Sequence, residues 1–199
     1  LICGSARGIL DTIETQDVVT FTGSAETGKK LKSHPRILSE SVSFNMEADS
    51  LNCCVLGNDV QTNMPEFDIF IKEVVREMTT KAGQKCTAIR RIIVPAAVVE
   101  DVQIALGKRL AGTTIGDPSI KEVRMGPLAG IFPRNEVREK VQQLAKSQEI
   151  VIGNLDKFEV LGADKEKGAF LPPIVFFNNA PFEKTDCHNI EAFGPVSTI

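Results

Sequence analysis

The sequence predicts an α/β protein with a mostly parallel β-sheet. Short apolar, β-branched runs alternate along the chain with segments in which apolar residues recur every three or four positions. Turns rich in glycine and proline separate the two kinds of segment, as at Gly116-Asp117-Pro118. Strands that alternate with helices are typical of parallel sheets with crossover helices. At 199 residues and 42% hydrophobic, the chain can bury a sizeable core.

The two patterns also predict the order of the elements. Apolar runs predict strands at residues 18–22, 37–45, 51–56, 90–95, 149–153, 158–161 and 196–199. Helical spacing predicts helices at residues 26–31, 67–80, 96–111 and 132–147. In the helix at 67–80, one face is apolar and contains Phe67, Phe70, Ile71, Val74 and Met78.

Composition and charge exclude several classes of function. A net charge of −3 gives no electrostatic reason to expect binding to nucleic acid or to an anionic membrane. No apolar stretch reaches the roughly 18–20 residues that span a bilayer, and the first residues do not resemble a secretory signal. Five cysteines and two histidines show no zinc spacing, so no metal site is predicted. Reduced thiols indicate a cytoplasmic protein.

The cysteine most suited to chemistry lies in the loop at residues 81–87, which reads Lys-Ala-Gly-Gln-Lys-Cys-Thr. Cys86 follows a Gly-Gln turn after the predicted helix at 67–80, where its sulfur can meet a substrate. The thiolate is the nucleophilic form, and a nearby base or oriented N–H dipoles would raise its fraction. For a cysteine taken alone, a buried and inert thiol is the alternative.

Three other places contain candidate residues. Residues 21–28, Phe-Thr-Gly-Ser-Ala-Glu-Thr-Gly, put a glycine turn between a strand and a helix, where backbone N–H groups can bind a pyrophosphate. Such turns are common in α/β proteins, and this one does not match Gly-x-Gly-x-x-Gly. Glu47 follows an apolar strand and, taken alone, would be a solvated carboxylate. Residues 191–195, Glu-Ala-Phe-Gly-Pro, would by themselves indicate only a turn.

In their order along the chain, the glycine turn, the cysteine loop and the Glu-Ala-Phe-Gly-Pro segment resemble the aldehyde dehydrogenase superfamily. The resemblance implies an α/β fold of three layers around a mostly parallel sheet, with NADP or NAD as the cofactor. Two residues would then approach the cofactor pyrophosphate, Gly23 and Ser24. Gly28 would allow close helix packing. Glu191 would accept hydrogen bonds from the nicotinamide ribose, and Phe193 would pack beside the nicotinamide ring.

The resemblance also implies a thioester mechanism for the oxidation of an aldehyde. Cys86 would add to the carbonyl, and loss of hydride from the thiohemiacetal would give a thioester. Glu47 would act as the base for hydrolysis and could take the thiol proton. The backbone N–H of Cys86 and an asparagine side chain upstream of Leu1 would stabilise the oxyanion.

One segment departs from the family pattern. Where the family has Glu-Leu-Gly-Gly-Lys, residues 47–51 read Glu-Ala-Asp-Ser-Leu, so the glutamate is kept and both glycines are lost. This departure indicates a divergent branch of the family. Together with Cys-Gly-Ser-Ala-Arg-Gly at residues 3–8, it looks most like the dehydrogenase part of the bifunctional proteins that open the phenylacetate ring. That likeness implies a CoA-linked semialdehyde as substrate.

The resemblance covers nearly the whole chain and divides it into two domains. Residues 1–48 would be the C-terminal part of the NAD(P)-binding domain, and residues 49–199 a catalytic thiol domain, incomplete at its C-terminal end. We therefore expect an inactive piece, truncated at both ends, of a longer enzyme that forms homo-oligomers. Two alternatives stay open: a CoA-acylating aldehyde dehydrogenase, in which CoA cleaves the thioester, and a non-catalytic fragment that keeps the fold.

Overall fold

The computed structural model describes Cys3 and residues 8–199. The chain forms two compact units, Leu1–Ser50 and Leu51–Ile199. The Cys-Gly-Ser-Ala-Arg-Gly segment at residues 3–8 lies mostly outside the described residues. It carries part of the resemblance to the bifunctional ring-opening proteins. Within the described part of the chain, no helix is long and apolar enough to cross a membrane.

The first unit contains a two-stranded parallel sheet, β1 and β2, with two helices in the connection between them. After a 3-10 helix at Ile9–Thr12, the elements are β1 (Val18–Gly23), α1 (Ala25–Lys32), α2 (Pro35–Ser39) and β2 (Ser43–Ala48). The paired residues run from Val18 opposite Ser43 to Gly23 opposite Ala48. Because the strands are parallel, their carboxyl ends meet at one edge of the sheet.

The strand predicted at residues 37–45 is wrong over residues 37–42, because β2 begins only at Ser43. Pro35 begins α2, where its missing N–H is not needed and its fixed φ suits a helix. The His34 side chain caps this helix, since its Nδ1 accepts a hydrogen bond from the backbone N–H of Arg36 at 3.3 Å. Ile37, an apolar residue that sequence alternation assigned to a strand, is buried on α2 instead.

The second unit is built on a five-stranded sheet in the order β3-β4-β7-β6-β5. Neighbouring strands are parallel except β5 and β6, which are antiparallel. The strands are β3 (Asn52–Val55), β4 (Ile89–Ile93), β5 (Glu149–Ile152), β6 (Ile174–Phe177) and β7 (Val196–Thr198). The prediction of an α/β fold with mostly parallel strands is confirmed.

Helices cover both faces of this sheet, namely α3 (Pro65–Thr79), α4 (Val99–Leu110) and α5 (Ile131–Leu144). Strand β6 shows the division, because its side chains alternate between the two faces. Ile174 and Phe176 belong to the apolar cluster that contains the buried side of α5. Val175, between them, belongs to the cluster that contains α3 and α4. The second unit therefore has three layers.

The helices predicted at residues 67–80, 96–111 and 132–147 are confirmed with small shifts at their ends, but the strand predicted at 158–161 is wrong. This segment forms only an isolated bridge, between Gly116 and Leu161. Leu161 is nevertheless held on both sides, because its N–H donates to Ile115 O at 2.8 Å and its carbonyl accepts from Asp117 N–H at 2.9 Å. Phe158 and Val160 pack against the α5 cluster, which explains the apolar alternation without a strand.

Candidate active site

Cys86 lies in an exposed turn between a kinked segment that follows α3, Thr80–Gly83, and β4. The chain reaches this turn through three consecutive residues with positive φ, Lys81 at 54°, Ala82 at 51° and Gly83 at 71°. Left-handed backbone costs about 1–2 kcal/mol for a residue other than glycine, so surrounding contacts must hold the turn. The exposure of the thiol contradicts the alternative of a buried, inert cysteine.

Glu77 on α3 fixes the residues on both sides of Cys86. Its Oε2 accepts hydrogen bonds from Lys85 Nζ at 2.6 Å and from Thr87 Oγ1 at 3.3 Å. Only 13% of the Glu77 side chain is exposed. The hydrogen bond from Lys85 is the main cause that lowers the pKa of Glu77 below its usual value. The carboxylate is therefore ionised at neutral pH and ties the cysteine loop to α3.

Two amide side chains connect the same loop to its surroundings. Asn52 Nδ2 donates to the carbonyl oxygen of Cys86 at 2.5 Å and to that of Ala88 at 3.3 Å. Gln84 Oε1 accepts a hydrogen bond from the backbone N–H of Ala129 at 2.8 Å. The loop is thus bound to β3 and to the segment before α5, in addition to α3.

The segment at residues 191–195 touches the cysteine loop through main-chain atoms. A methyl group added at Gly83 would lie 2.1 Å from the carbonyl oxygen of Gly194 and 2.9 Å from the nitrogen of Pro195. No side chain fits at Gly83, and its φ of 71° also favours glycine. In this segment Glu191 is partly buried, whereas Phe193 is 42% exposed.

Arg90, the second residue of β4, joins the two loops. It is 5% exposed, and its Nη1 donates to Gly194 O at 2.5 Å while Nη2 donates to Gly83 O at 2.7 Å. Its guanidinium carbon lies 5.4 Å from the centroid of the Phe193 ring. Burial lowers the pKa of Arg90 to about 10, against the opposing effect of the Glu191 charge, so the side chain stays a cation at neutral pH.

The glycine turn of the first unit is a closely packed strand–helix junction. Ser24 caps α1, because its Oγ accepts a hydrogen bond from the backbone N–H of Thr27 at 3.2 Å. A methyl group at Gly23 would lie 2.6 Å from the ring of Phe21. At Gly28 it would lie 2.3 Å from the sulfur of Met46, so this glycine lets α1 pack against β2.

Glu47 lies at the same edge of the first sheet as the glycine turn. It is exposed on β2 and is paired with Thr22 of β1, one position before the pair of Gly23 and Ala48. The carboxyl ends of two adjacent parallel strands thus place a carboxylate beside the turn that precedes α1.

Asp49 occupies the position of the first glycine in the family pattern Glu-Leu-Gly-Gly-Lys. Its φ of 54° is left-handed, a conformation that glycine adopts freely and that aspartate tolerates better than most residues. Its Oδ1 accepts a hydrogen bond at 2.9 Å from the backbone N–H of Ala25, the first residue of α1. The left-handed backbone that glycine would favour is adopted by Asp49, and a carboxylate now lies at the positive end of α1.

The predicted residues therefore fall into two groups, one in each unit. The first unit contains the glycine turn and Glu47 at one sheet edge. The second contains Cys86 and, on a segment in contact with its loop, Glu191 and Phe193. Sequence reasoning missed the residues that hold these groups in place, which are Asp49, Asn52, Glu77 and Arg90. Only Arg90 left a signal in the sequence, as one of two adjacent arginines in a strand whose other residues are isoleucines.

Two candidate residues of the second unit, Cys86 and Phe193, are exposed. A cavity of about 620 Å³ in this unit is lined by residues of α4, the end of β5 and residues 157–161, and none of the predicted site residues lines it. Within Cys3 and residues 8–199, no group of three or more His, Cys, Asp or Glu side chains could hold a metal ion.

The three-layer second unit and the exposed cysteine in its rigidly held loop define an α/β protein with a thiol site. Comparison with known proteins identifies the family. The model of the aldehyde dehydrogenase family matches residues 1–199. The chain belongs to the aldehyde dehydrogenase family.

Individual relatives agree with this assignment. The chain is 42% identical over its whole length to the 3,4-dehydroadipyl-CoA semialdehyde dehydrogenase of Aromatoleum evansii, of which it covers 39%. It is 28% identical to the alpha-ketoglutaric semialdehyde dehydrogenase of Bacillus subtilis, with 92% of the chain and 35% of the relative covered. A crystal structure of betaine aldehyde dehydrogenase from Staphylococcus aureus in complex with NAD+ is 25% identical, with a TM-score of 0.77 over 92% of this chain and 34% of that one. The chain thus spans about two fifths or less of the length of these relatives.

Replacing Glu77 by glutamine is expected to destabilise the second unit by about 1–1.5 kcal/mol near neutral pH, because a neutral acceptor replaces a charged one. The pKa of Glu77 is lower in the folded protein, so its contribution is fully present above the ordinary value of 4.5 and is lost as the pH falls through the lower folded value. Urea unfolding of the wild type and Glu77→Gln across the acid range measures this difference.

Glu73→Gln is the matched control on the same helix. Glu73 pairs with Arg76 at 2.5 Å, with 36% and 62% of the two side chains exposed. Such a surface pair contributes about 0–1 kcal/mol. Equal destabilisation by the two substitutions would show that Glu77 holds the cysteine loop no better than a surface ion pair.

Proposed function

We propose that this chain supplies the nucleophile and the deacylating base of an NAD(P)-dependent aldehyde dehydrogenase. The observation that carries the proposal is the exposed Cys86, whose two neighbours are fixed by the partly buried carboxylate of Glu77, in a chain that belongs to this family. The chain covers 39% of the Aromatoleum evansii relative. We therefore propose the activity for a polypeptide of the relatives' length that contains this sequence, called the long form below.

Two groups of residues would hold the cofactor. In the first unit, Gly23 and Ser24 precede the positive end of α1, which suits a pyrophosphate, and Gly28 lets α1 pack against the strand behind it. In the second unit, Glu191 and Phe193 would contact the nicotinamide riboside. The Staphylococcus aureus structure contains NAD+, and a 23% identical succinate-semialdehyde dehydrogenase of Mycobacterium tuberculosis is named for NADP(+). When bound, NAD or NADP supplies the hydride acceptor.

Cys86 would act as the nucleophile. Its thiolate adds to the aldehyde carbon, and the bond from sulfur to carbon holds the substrate while the carbon is oxidised from a thiohemiacetal to a thioester. Because Lys85 and Thr87 are both hydrogen-bonded to Glu77, the thiol can attack without the loop having to be ordered at that moment.

Glu47 would act as the base for the second half of the reaction. It takes a proton from water as the water oxygen attacks the thioester carbon, and the carbon–sulfur bond then breaks to release the acid and restore Cys86. An exposed carboxylate at the end of a strand is available for such a transfer. The presence of Glu47 argues against the alternative in which CoA, rather than water, cleaves the thioester.

The substrate that we propose is a CoA-linked semialdehyde, of the kind formed in phenylacetate degradation. The name of the 42% identical relative supports a CoA-linked semialdehyde. Two further proposals are that the long form is a homo-oligomer, which the family resemblance supports, and that it is cytoplasmic, which its free cysteines support.

The first test removes the nucleophile. In the long form, Cys86→Ala should abolish aldehyde oxidation while cofactor affinity, measured by titration calorimetry, stays nearly the same. Cys53→Ser, a change at another exposed cysteine of the second unit, should keep wild-type turnover. Normal turnover in Cys86→Ala would overturn the assignment of the nucleophile.

The second test separates acylation from hydrolysis. If Glu47 serves deacylation, Glu47→Gln in the long form should still give a rapid burst of reduced cofactor, followed by a much slower steady state. Stopped-flow absorbance of the reduced nicotinamide measures both phases. A burst and a steady state that fall equally would assign Glu47 to the first step or to the fold.

The third test concerns Asp49, whose carboxylate lies at the end of α1 where a pyrophosphate would bind. Asp49→Asn keeps an oxygen that can accept from Ala25 N–H and removes the charge that would repel phosphate. Helix-terminal charges contribute about 0.3–1 kcal/mol, so the dissociation constant for the cofactor in the long form should fall about two- to fivefold. Titration calorimetry at low salt measures it, and weaker binding would mean that Asp49 supports the cofactor.

A further inference from the structure

We propose that Arg90 is a positioning residue that holds residues 191–195 at a fixed place beside the Cys86 loop. The proposal rests on the proposed function, because it takes Glu191 and Phe193 as the contacts of the nicotinamide riboside. Under this proposal, Arg90 sets the distance between the Cys86 thiol and the nicotinamide, which receives the hydride.

The geometry of the guanidinium group suits this role. It is planar and its donors point in fixed directions, so two of its nitrogens can define the distance between two acceptors. Here the acceptors are the carbonyl oxygens of Gly83 and Gly194, at 2.7 and 2.5 Å. One belongs to the loop that precedes β4 and the other to the loop that precedes β7, so a single side chain of β4 spans both.

Neither carbonyl needs Arg90 as a partner. The backbone N–H of Lys85 already donates to Gly83 O at 2.9 Å, and that of Val196 donates to Gly194 O at 2.8 Å. Removing the guanidinium would therefore leave neither oxygen without a hydrogen bond. The hydrogen bonds from Lys85 and Val196 each stay within one turn. Arg90, in contrast, links the turn at Gly83 to the turn at Gly194.

The burial of this cation is also costly. Its Nε is buried and has no hydrogen-bond partner among the residues that the structure describes. A buried charge with an unpaired donor is a poor source of stability, and a well-packed apolar side chain of similar length can be equal or better. A geometric role accounts for a charge at this position, whereas a contribution to stability does not.

The contacts of Arg90 are concentrated on the proposed cofactor segment. The guanidinium donates to Gly194, lies near the ring of Phe193 and interacts with the charge of Glu191. The cysteine loop, in contrast, has independent contacts through Glu77 and Asn52. Loss of Arg90 should therefore displace the cofactor segment and leave the Cys86 thiol in place.

Arg90→Met in the long form tests this asymmetry. We expect the burst rate of cofactor reduction to fall on the order of 100-fold, the loss typical of a small misplacement of reacting groups. The rate at which iodoacetamide alkylates Cys86 should change little. Arg90→Lys keeps the charge but not the fork that spans two carbonyls, so its burst rate should stay closer to that of Arg90→Met than to that of the wild type.

Arg109→Met is the matched control, because Arg109 is a partly exposed arginine of α4 that pairs with Asp68. It should keep the wild-type burst. Three results would overturn the proposal: a wild-type burst in Arg90→Met, full recovery in Arg90→Lys, or equal changes in burst rate and alkylation rate, which would mean a general structural role.

The failure of the proposed function would be visible separately, as the absence of any burst in the wild-type long form. Positioning would then still be tested by hydrogen exchange on the 199-residue chain. Arg90→Met should speed exchange of the amides at residues 191–196, and Arg109→Met should not. Unchanged exchange in Arg90→Met would overturn the proposal whatever the activity.

Discussion

The contact between the backbones of Gly83 and Gly194 is the constraint on which the candidate thiol site depends. A single methyl group at Gly83 would lie 2.1 Å from the carbonyl oxygen of Gly194, so the two loops touch with no side chain between them. Contacts between main-chain atoms leave little freedom, because neither partner can change rotamer to relieve a clash. Glycine at this one position is therefore what allows the Glu-Ala-Phe-Gly-Pro segment to approach the cysteine loop so closely.

The parallel sheet makes this contact possible. The cysteine loop leads into β4 and the Glu-Ala-Phe-Gly-Pro segment leads into β7, and these strands are parallel neighbours. Their amino ends therefore lie side by side, and Ser197 Oγ adds a hydrogen bond to the carbonyl of Ile89 at 2.5 Å. The site is thus placed by the rigid middle of the sheet, and polar side chains from α3, β3 and β4 fix the loops above it.

The first unit differs from the family pattern in the residues that follow Glu47. Asp49 takes the place of a family glycine, adopts the left-handed conformation that glycine reaches freely, and accepts a hydrogen bond from the first N–H of α1. The electrostatic environment does change, since the end of the helix dipole that attracts anions already has one beside it. An aspartate in place of one glycine can therefore alter the charge beside the turn that precedes α1.

By itself, the sequence determined the α/β class, the amphipathic helices, the glycine turn before α1 and the exposed loop position of Cys86, because each of these follows from local periodicity or from a local turn. Only the tertiary structure decided that residues 35–39 are helical, that residues 158–161 form no strand, and that Asn52, Glu77 and Arg90 hold the cysteine loop. The carbonyl that Arg90 contacts at Gly194 is 104 positions away in the chain. Local spacing reports which side of an element is apolar, whereas the partner of a buried charge is set by which strands become neighbours in the sheet.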